Sequence, residues 1–248
     1  MKLYRLITLL TCCFFSIQVF SQELKSKFEL KTESYSYNDY KGHPQIMAIT
    51  QDNHGVMYFA NQFGIALYNG GEWSTINLLG SSVRSLACDN NGVIYVGGID
   101  FGCLEVQKNG KRKFKSFKSL IPDSLNFGLI EHIDVTNEGL VFFKSSDFIF
   151  IYDRDSVSII EKENNFKFHS TYVINDEFYV FIENFGLKKY NNGKLVDFYK
   201  NDLYSHSLLY GFFNFCDNQF IVFKKEGVFE KNGEELKLIF KSELSSPL

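Results

Sequence analysis

The stretch Ile46–Phe59 (IMAITQDNHGVMYF) decides the fold, because the chain repeats it at Val83–Val96 (VRSLACDNNGVIYV). In both copies an apolar run leads into a polar turn, and a second apolar run follows the turn. The positions that match at a spacing of 37 residues are Asp52 and Asp89, Gly55 and Gly92, and Tyr58 and Tyr95. Such self-similarity indicates that one structural unit is used more than once.

A second signal, a tight turn, extends the repeat along the chain. Asn-Gly pairs favour two-residue hairpins because both residues tolerate left-handed backbone conformations. The turns are Asn69-Gly70, Asn109-Gly110, Asn192-Gly193 and Asn232-Gly233, with Arg154-Asp155 in the remaining place. The steps between them, counted on the second residue of each pair, are 40, 45, 38 and 40 residues. A period near 40 residues with strand-like content is typical of propeller blades.

The first copy predicts the content of one such unit. It contains four predicted strands, at Ile46–Thr50, Val56–Ala60, Ile65–Tyr68 and Trp73–Ile76. In the first turn an aspartate carboxylate can accept a hydrogen bond from the backbone two residues on, and a glycine supplies the positive φ that closes the turn. Four antiparallel strands make one blade of a propeller.

Five units are readable, and they predict an all-β propeller of four-stranded blades. The blades are expected at about 46–80, 83–118, 130–161, 170–200 and 208–241, and no helical periodicity interrupts them. Propellers have four to eight blades, so a closed five-bladed ring is allowed. No clear closing strand follows the fifth unit, which favours an incomplete ring. Within the N-terminal segment 22–45, residues Phe28–Tyr37 could donate one strand to a neighbouring blade.

The first 21 residues are predicted to be a signal peptide. Lys2 and Arg5 precede the apolar run Leu6–Phe20, and Val19 and Ser21 occupy the −3 and −1 positions of a cleavage site. The run has 15 residues, fewer than the roughly 20 that span a bilayer. Export with cleavage is therefore expected, and an uncleaved membrane anchor is the alternative.

Composition narrows the function classes. A formal net charge of −3 offers no electrostatic argument for nucleic-acid binding. The aromatic fraction of 17%, with only 3 Pro, suits half-buried strands. Three cysteines follow the signal peptide, and their odd number and wide spacing predict buried free thiols rather than a disulfide framework: Cys88, Cys103 and Cys216.

The sequence predicts no catalytic, cofactor-binding or metal-binding residues. Asp52, Asp89 and Asp217 are expected to form turns, because a catalytic pair needs a unique position rather than one copy in each unit. No two histidines have the short spacing of a metal-binding pair among the five, which are His43, His54, His132, His169 and His206. Carboxylates that could line a rim, with no pattern to select among them, are Asp100, Glu105, Glu183 and Glu226.

Three other features have a ligand-binding interpretation beside a structural one. Gly97-Gly98 with Gly102 is similar to a phosphate-binding loop, but no helix follows, so close packing of strands is favoured. The basic run Lys108–Lys118 could bind an acidic polymer, although a solvated outer hairpin is favoured. Trp73 could stack on a sugar ring, although packing within the propeller is favoured.

Several residues of the first two units match a known family. The first unit contains Gly42-His43-Pro44-Gln45, Gly55–Asn61 and Tyr68-Asn69-Gly70, and the second contains Val83–Leu86 and Gly92–Gly97. These residues resemble the two-component regulator propeller family, in the form that precedes a triple-tyrosine domain in Bacteroidetes-type sensors. The resemblance covers about residues 28–248. It implies a periplasmic propeller, usually a seven-bladed ring, followed by an immunoglobulin-like triple-tyrosine domain, a transmembrane helix and a cytoplasmic output module.

The resemblance implies a function in signal transduction, although this chain departs from the family pattern by having about five blades and no later domain. We expect a periplasmic or secreted ligand-sensing module, membrane-associated only as part of a longer sensor. The expected partners are a glycan or other small periplasmic ligand, and a downstream triple-tyrosine, histidine kinase or regulator module. The sequence does not identify ligand-binding residues.

Two alternatives stay open. One is a secreted protein-interaction scaffold, and the other is a glycan-active enzyme with a propeller fold. An enzyme should show unique polar residues that converge at the ends of the inner strands, and the sequence shows none. An incomplete ring would also leave blade faces and a strand edge unpaired, so self-association is expected.

Overall fold

The computed structural model describes residues 32–78, 82–163, 166–199, 207–216, 218–233 and 235–241. The predicted signal peptide lies outside the described residues. So do residues 28–31 of the predicted N-terminal strand, the turn residue Asp217 and His206.

The described chain forms five four-stranded antiparallel sheets, each made from consecutive strands, which confirms the predicted all-β propeller. Blade 1 contains β1 (Ile46–Gln51), β2 (Met57–Asn61), β3 (Gly64–Tyr68) and β4 (Trp73–Asn77). Blade 2 contains β5 (Val83–Cys88), β6 (Ile94–Gly98), β7 (Phe101–Val106) and β8 (Arg112–Ser116). Blade 3 contains β9 (His132–Val135), β10 (Val141–Lys144), β11 (Phe148–Asp153) and β12 (Ser156–Glu161).

The last two blades keep the same order. Blade 4 contains β13 (Phe168–Ile174), β14 (Glu177–Ile182), β15 (Gly186–Asn191) and β16 (Lys194–Tyr199). Blade 5 contains β17 (Leu209–Phe215), β18 (Asn218–Phe223), β19 (Gly227–Asn232) and β20 (Glu235–Lys241). In the described part of the chain, two short helices accompany the strands, α1 (Tyr37–Tyr40) and a 3₁₀ helix at Lys118–Leu120.

The first turn of each of the first two blades forms as its aspartate predicts. Asp52 Oδ1 accepts hydrogen bonds from the backbone nitrogens of His54 and Val56, at 2.9 and 3.0 Å. Asp89 Oδ1 accepts the equivalent bonds from Asn91 and Val93, at 2.9 and 2.8 Å. The predicted turn role of these two aspartates is confirmed.

The blades pack in chain order around their first strands. β1 contacts β5, β5 contacts β9, β9 contacts β13 and β13 contacts β17, so the first strand of each blade is the innermost. Four clusters of buried apolar side chains lie between blades 1 and 2, 2 and 3, 3 and 4, and 4 and 5. Among the described residues, no fifth cluster joins blade 5 to blade 1.

Close packing explains the glycines of blade 2. A Cβ on Gly97 would lie 2.5 Å from Ile130 Cγ2 and 2.5 Å from Ser85 Oγ, closer than any side chain permits. A Cβ on Gly102 would likewise collide with the Lys115 carbonyl oxygen of the neighbouring strand. The glycines are therefore required by contact between strands, as the sequence predicted.

Residues 35–45 of the N-terminal segment cover the face of blade 1 that points away from blade 2. The described part of this segment, 32–45, forms α1 and no strand. Tyr35 and Tyr40 place their rings 5.3 and 5.4 Å from the ring of Trp73, which also packs on Phe59 and Tyr68. The sequence favoured packing of Trp73 within the propeller, and the structure shows that its aromatic partners include this N-terminal cover.

Candidate functional site

One face of the propeller carries the first hairpin turn of every blade, and we call it the turn face. Polar side chains link these turns from blade to blade. Asn53 Nδ2 donates to the Asn90 carbonyl oxygen at 2.8 Å, and Asn90 Nδ2 donates to Asn137 Oδ1 at 3.0 Å. The chain of bonds continues from the Asn137 backbone nitrogen to Asp176 Oδ1 and from Asn214 Nδ2 to Asn175 Oδ1. These positions recur in each blade, so they build the turn face rather than mark a site on it.

The junction of blades 1 and 2 contains a buried ion pair at this face. Arg112 Nη2, on β8, lies 2.7 Å from Asp52 Oδ2, whose side chain is 0% exposed. Tyr58 OH donates to the same oxygen at 2.8 Å, and the guanidinium lies 5.3 Å from the centre of the Tyr58 ring. Arg112 therefore fills this junction and neutralises its carboxylate.

The protonation states at this junction follow from its contacts. Burial disfavours the charge on Asp52, but hydrogen bonds from Tyr58, Val56 and His54 and the charge of Arg112 outweigh it, so the pKa of Asp52 lies below its usual value. Burial and the hydrogen bond to Asp52 raise the pKa of Tyr58. The phenol therefore stays protonated and acts as a donor.

The junction of blades 2 and 3 repeats the aspartate and the tyrosine without the arginine. Tyr95 OH lies 3.4 Å from Asp89 Oδ2. The two blades can be aligned on equivalent residue pairs of their second and third strands. In blade 2 this pair is Tyr95 and Cys103, and in blade 3 it is Phe142 and Ile151. Beyond these positions the β7–β8 hairpin continues to the pair Val106 and Arg112, three residue pairs after Cys103 and Lys115.

Blade 3 has a shorter hairpin at the equivalent place. After Ile151 and Ser158, β11 and β12 continue for two residue pairs and end at Asp153 and Ser156. Among the described residues, blade 3 thus has no residue paired at the position of Arg112, and a cleft of about 570 Å³ remains. We call it the blade 2–3 cleft; its lining includes His54, Asn91, Tyr95, Cys103, Glu105, Arg112, Lys115 and Tyr152.

The cleft combines aromatic and charged side chains. Tyr152 stacks on Phe117 with ring centres 4.1 Å apart and lies 6.3 Å from the Tyr95 ring. At the rim, Lys115 Nζ is 2.9 Å from Glu105 Oε1, and about half of each side chain is exposed. Aromatic surfaces with a few polar groups suit a small polar ligand.

Only some of the residues singled out from the sequence line this cleft. Of the four rim carboxylates, Glu105 does, whereas Asp100 accepts bonds from its neighbour Phe101 and from Ser116 Oγ. Glu183 is exposed elsewhere, and Glu226 accepts a bond from the Ser207 hydroxyl.

The histidines are dispersed. His54 lines the cleft, His43 packs edge-on against Phe63, and His132 Nε2 lies 3.5 Å from Asp134 Oδ1. The hydrogen bond to Asp134 raises the pKa of His132. In the part of the chain that the structure describes, no three His, Cys, Asp or Glu side chains are grouped to hold a metal ion.

Sequence reasoning missed Tyr95, Arg112 and Tyr152 as cleft residues. Arg112 was assigned to a solvated basic hairpin, whereas its guanidinium is largely buried and paired with Asp52. The step of 45 residues from Gly110 to Asp155 gives no signal for the cleft, because its extra length lies in the connection between β8, which ends at Ser116, and β9, which begins at His132.

Lys144 is a second break in the repeat. It ends β10, where the equivalent residues of the other blades are Ala60, Gly97, Phe181 and Val222. Its side chain is 4% exposed, and its Nζ donates to Glu131 Oε2 at 2.7 Å and to the His169 carbonyl oxygen at 2.8 Å. These bonds join blades 3 and 4, so Lys144 has a structural role.

A groove of about 370 Å³ lies between blades 3 and 4. It combines apolar side chains, among them Ile160 and Phe166, with charged ones, which are Glu161, Lys162, Glu163, Lys188 and Lys194. Lys162 Nζ lies 2.7 Å from Asp147 Oδ1. The blade 2–3 cleft is larger, at about 570 Å³, and lies where the hairpin lengths of two blades differ, so it is the better candidate for a ligand-binding site.

The thiols should differ sharply in reactivity. Cys103 is 8% exposed, and burial raises its pKa to about 11, whereas Cys216 is exposed. In the native mature chain we expect iodoacetamide at pH 8 to label Cys216 at least about ten times faster than Cys103, because the thiolate is the nucleophile. Peptide mass spectrometry measures both rates, and Cys216→Ser removes the fast reaction. Rapid native labelling of Cys103 would contradict the burial described here.

Comparison with known proteins identifies the fold. No family model matches the chain, and no curated protein sequence matches it. Virginiamycin B lyase from Staphylococcus aureus superposes with a TM-score of 0.60 at 16% identity, over 83% of this chain and 72% of the lyase. The WD40 propeller domain of Doa1 gives a TM-score of 0.56 at 14% identity, over 79% of this chain and 69% of that domain.

Sensor proteins are also similar in structure. The extracellular domains of two hybrid two-component systems from B. thetaiotaomicron give TM-scores of 0.57 and 0.56 at 16% and 14% identity, over 75% and 83% of this chain. The chain spans 27% and 28% of those domains. At such identities the likeness establishes a β-propeller. In the described residues, no helix is long and apolar enough to cross a membrane.

Proposed function

We propose that this chain is a periplasmic ligand-sensing propeller module of a two-component-type signal transduction regulator. Three observations support the proposal: the family resemblance of its first two units, the likeness of its fold to extracellular domains of hybrid two-component systems, and the blade 2–3 cleft. The cleft is the strongest of these three observations. It lies where the repeat is broken, at a junction whose counterpart is filled by Arg112.

The ligand is a glycan or another small polar molecule of the periplasm. It would stack on Tyr152 and exchange hydrogen bonds with Lys115 and Glu105, which now bond to each other at the rim. Since the cleft is lined mainly by blade 2, with His54 of blade 1 and Tyr152 of blade 3, a bound ligand favours one arrangement of these blades over others. A downstream triple-tyrosine, histidine kinase or regulator module would read that change.

Export of the chain, with cleavage after residue 21, belongs to the same proposal. So does an incomplete ring. The separation of blade 1 from blade 5 supports it, because the described residues form no apolar cluster between them. Self-association is also part of the proposal.

We propose no enzymatic activity, although the lyase from S. aureus has the same fold. The charged groups at the blade 2–3 cleft are engaged in pairs, Arg112 with Asp52 and Lys115 with Glu105. Each of these groups therefore already has a partner of opposite charge. Incubation of the mature chain with an oligosaccharide panel should give no turnover, and sustained product formation would refute this part of the proposal.

Ligand binding is tested by thermal shift with the same panel. A ligand present at 100 times its Kd should stabilise the mature chain by about 2.7 kcal/mol. Lys115→Ala and Glu105→Gln should each weaken binding of that ligand about tenfold, because each removes one hydrogen-bonding group from the rim.

The matched control is Lys162→Ala, which removes another ion-paired lysine, from the groove between blades 3 and 4; its side chain is 23% exposed, against 55% for Lys115. It should leave the affinity unchanged. Loss of binding in this variant alone would move the site to the groove, and absence of binding by every glycan and other small polar compound tried would count against sensing.

A further inference from the structure

Among the described residues, no other part of the chain packs on the outer face of blade 5, which is apolar. We call it the last-blade face; it consists of the side chains of blade 5 that point away from blade 4, namely Phe213, Phe215, Phe220, Val222, Val228 and Phe240. Phe213, Phe215 and Phe240 are 43%, 66% and 63% exposed. The rings of Phe213 and Phe215 lie 5.7 and 6.5 Å from that of Phe220, so these three rings form one patch. Phe240 lies in the neighbouring row of the sheet with Val222 and Val228.

The same positions are buried in the other blades. Phe220 is equivalent to residues of the second strands that pack on the following blade, and these are at most 6% exposed: Tyr58, Tyr95, Phe142 and Tyr179. Phe240 is equivalent to Phe117 and Tyr199, which are 1% and 9% exposed. The last-blade face therefore has the composition of a surface made for burial against another sheet.

The opposite end of the propeller cannot receive it. In blade 1 the face that points away from blade 2 is covered by the chain itself, through the contacts of Tyr35 and Tyr40 with Trp73. Head-to-tail contact between two copies would have to displace this cover. A contact that joins the same face of both copies avoids that cost and is closed by a two-fold axis.

The charges on this face are compatible with pairing of two copies about a two-fold axis. The strand register places Glu230 and Lys237 in one row with Phe220, and Glu235 two residues before Lys237 on the same side. A face with both signs can pair with itself, since a two-fold rotation can bring Lys237 of one copy toward Glu235 of the other. A face with charges of one sign would repel its copy.

We infer that the mature chain forms a closed dimer in which the last-blade faces of two copies pack together. This inference rests on the self-association in the proposed function and specifies its surface and symmetry. It does not depend on ligand binding in the blade 2–3 cleft, so either can fail without the other.

The experiment is light scattering coupled to size-exclusion chromatography, with sedimentation velocity, on the mature chain at 1 to about 100 μM. A dimer without larger species is expected. Phe240→Glu and Phe215→Glu should each raise the dimer dissociation constant at least about 100-fold, because each places two carboxylates in the apolar centre of a symmetric interface. Circular dichroism and a cooperative thermal melt check that each variant is folded. If one variant fails to fold, the other one tests the interface.

Phe63→Glu is the matched control, because Phe63 is an aromatic residue of blade 1 that is 58% exposed. It should leave the dimer unchanged. A monomer at 100 μM would overturn the inference, and so would open-ended oligomers, which require blade 1 to take part. A dimer that survives both blade 5 substitutions would overturn it as well.

Discussion

Phe142→Ala is expected to lower the free energy of unfolding by about 4 kcal/mol. Phe142 is 1% exposed and lies between blades 3 and 4, where its ring stacks on Phe178 with centres 3.9 Å apart and planes at 4°. The edge of Tyr190 closes the site from another side, at 5.2 Å. Alanine leaves a cavity between two sheets whose backbones are fixed by their own ladders, so the site cannot collapse to fill it.

Urea unfolding followed by tyrosine and tryptophan fluorescence measures this loss. Phe63→Ala is the control, because removal of a ring that is 58% exposed should lower the free energy of unfolding by less than about 0.5 kcal/mol. Both are best compared in a Phe240→Glu background, since dimerisation would make stability depend on concentration. A loss below about 1.5 kcal/mol for Phe142→Ala would mean that blades 3 and 4 do not pack as described.

Asp52→Ala should destabilise the chain by about 3 kcal/mol at neutral pH. The carboxylate is fully buried and accepts bonds from Tyr58 OH, two backbone nitrogens and Arg112. Its removal leaves a largely buried guanidinium and a buried phenol without their acceptor. The resulting loss of stability should exceed the loss caused by weakening the turn alone.

Asp89→Ala is the matched control, because Asp89 makes the same turn and lacks the arginine. We expect it to cost about 1 kcal/mol. A double-mutant cycle of Asp52→Ala with Arg112→Met should show a coupling energy of at least about 1 kcal/mol. Equal losses for the two aspartates, with no coupling to Arg112, would show that the ion pair contributes nothing beyond the turn.

The same pair predicts a pH dependence. Because the folded-state pKa of Asp52 lies below the usual value of 3.8, its ionisation stabilises the fold above pH 3.8, and this contribution is lost as the pH falls through the folded-state pKa. Between about pH 5 and pH 2 the wild type should therefore lose more stability than Asp52→Asn. Denaturant titrations at each pH provide the comparison, and parallel curves for both proteins would contradict it.

Local sequence chemistry was sufficient to predict the blades. Asp52 and Gly55, repeated as Asp89 and Gly92, form turns whose hydrogen bonds join residues two to four positions apart. Alternating and continuous apolar runs between turns specify strands, because side-chain direction has a period of two. The prediction of five four-stranded units needed only such short-range rules and the recurrence of the pattern at steps near 40 residues.

The candidate site could not be predicted in the same way. Asp52 and Arg112 are 60 residues apart in the chain, and the cleft arises where two hairpins of different length meet across a blade junction. A basic run viewed alone resembles a solvated hairpin, since nothing local shows that one of its arginines reaches a buried carboxylate. The irregular repeat step gave no clue either, because its extra residues lie between β8 and β9 and not in a hairpin.

The sequence by itself determined that this chain forms propeller blades, where each turn lies and which aromatic residues belong to strands. Tertiary structure decided which of those aromatic faces are covered. Phe142 and Phe220 hold equivalent places in their blades, yet one is buried by the next blade and the other belongs to an open face. A strand specifies through its pattern that one side is apolar, whereas burial of that side depends on a second surface brought from elsewhere.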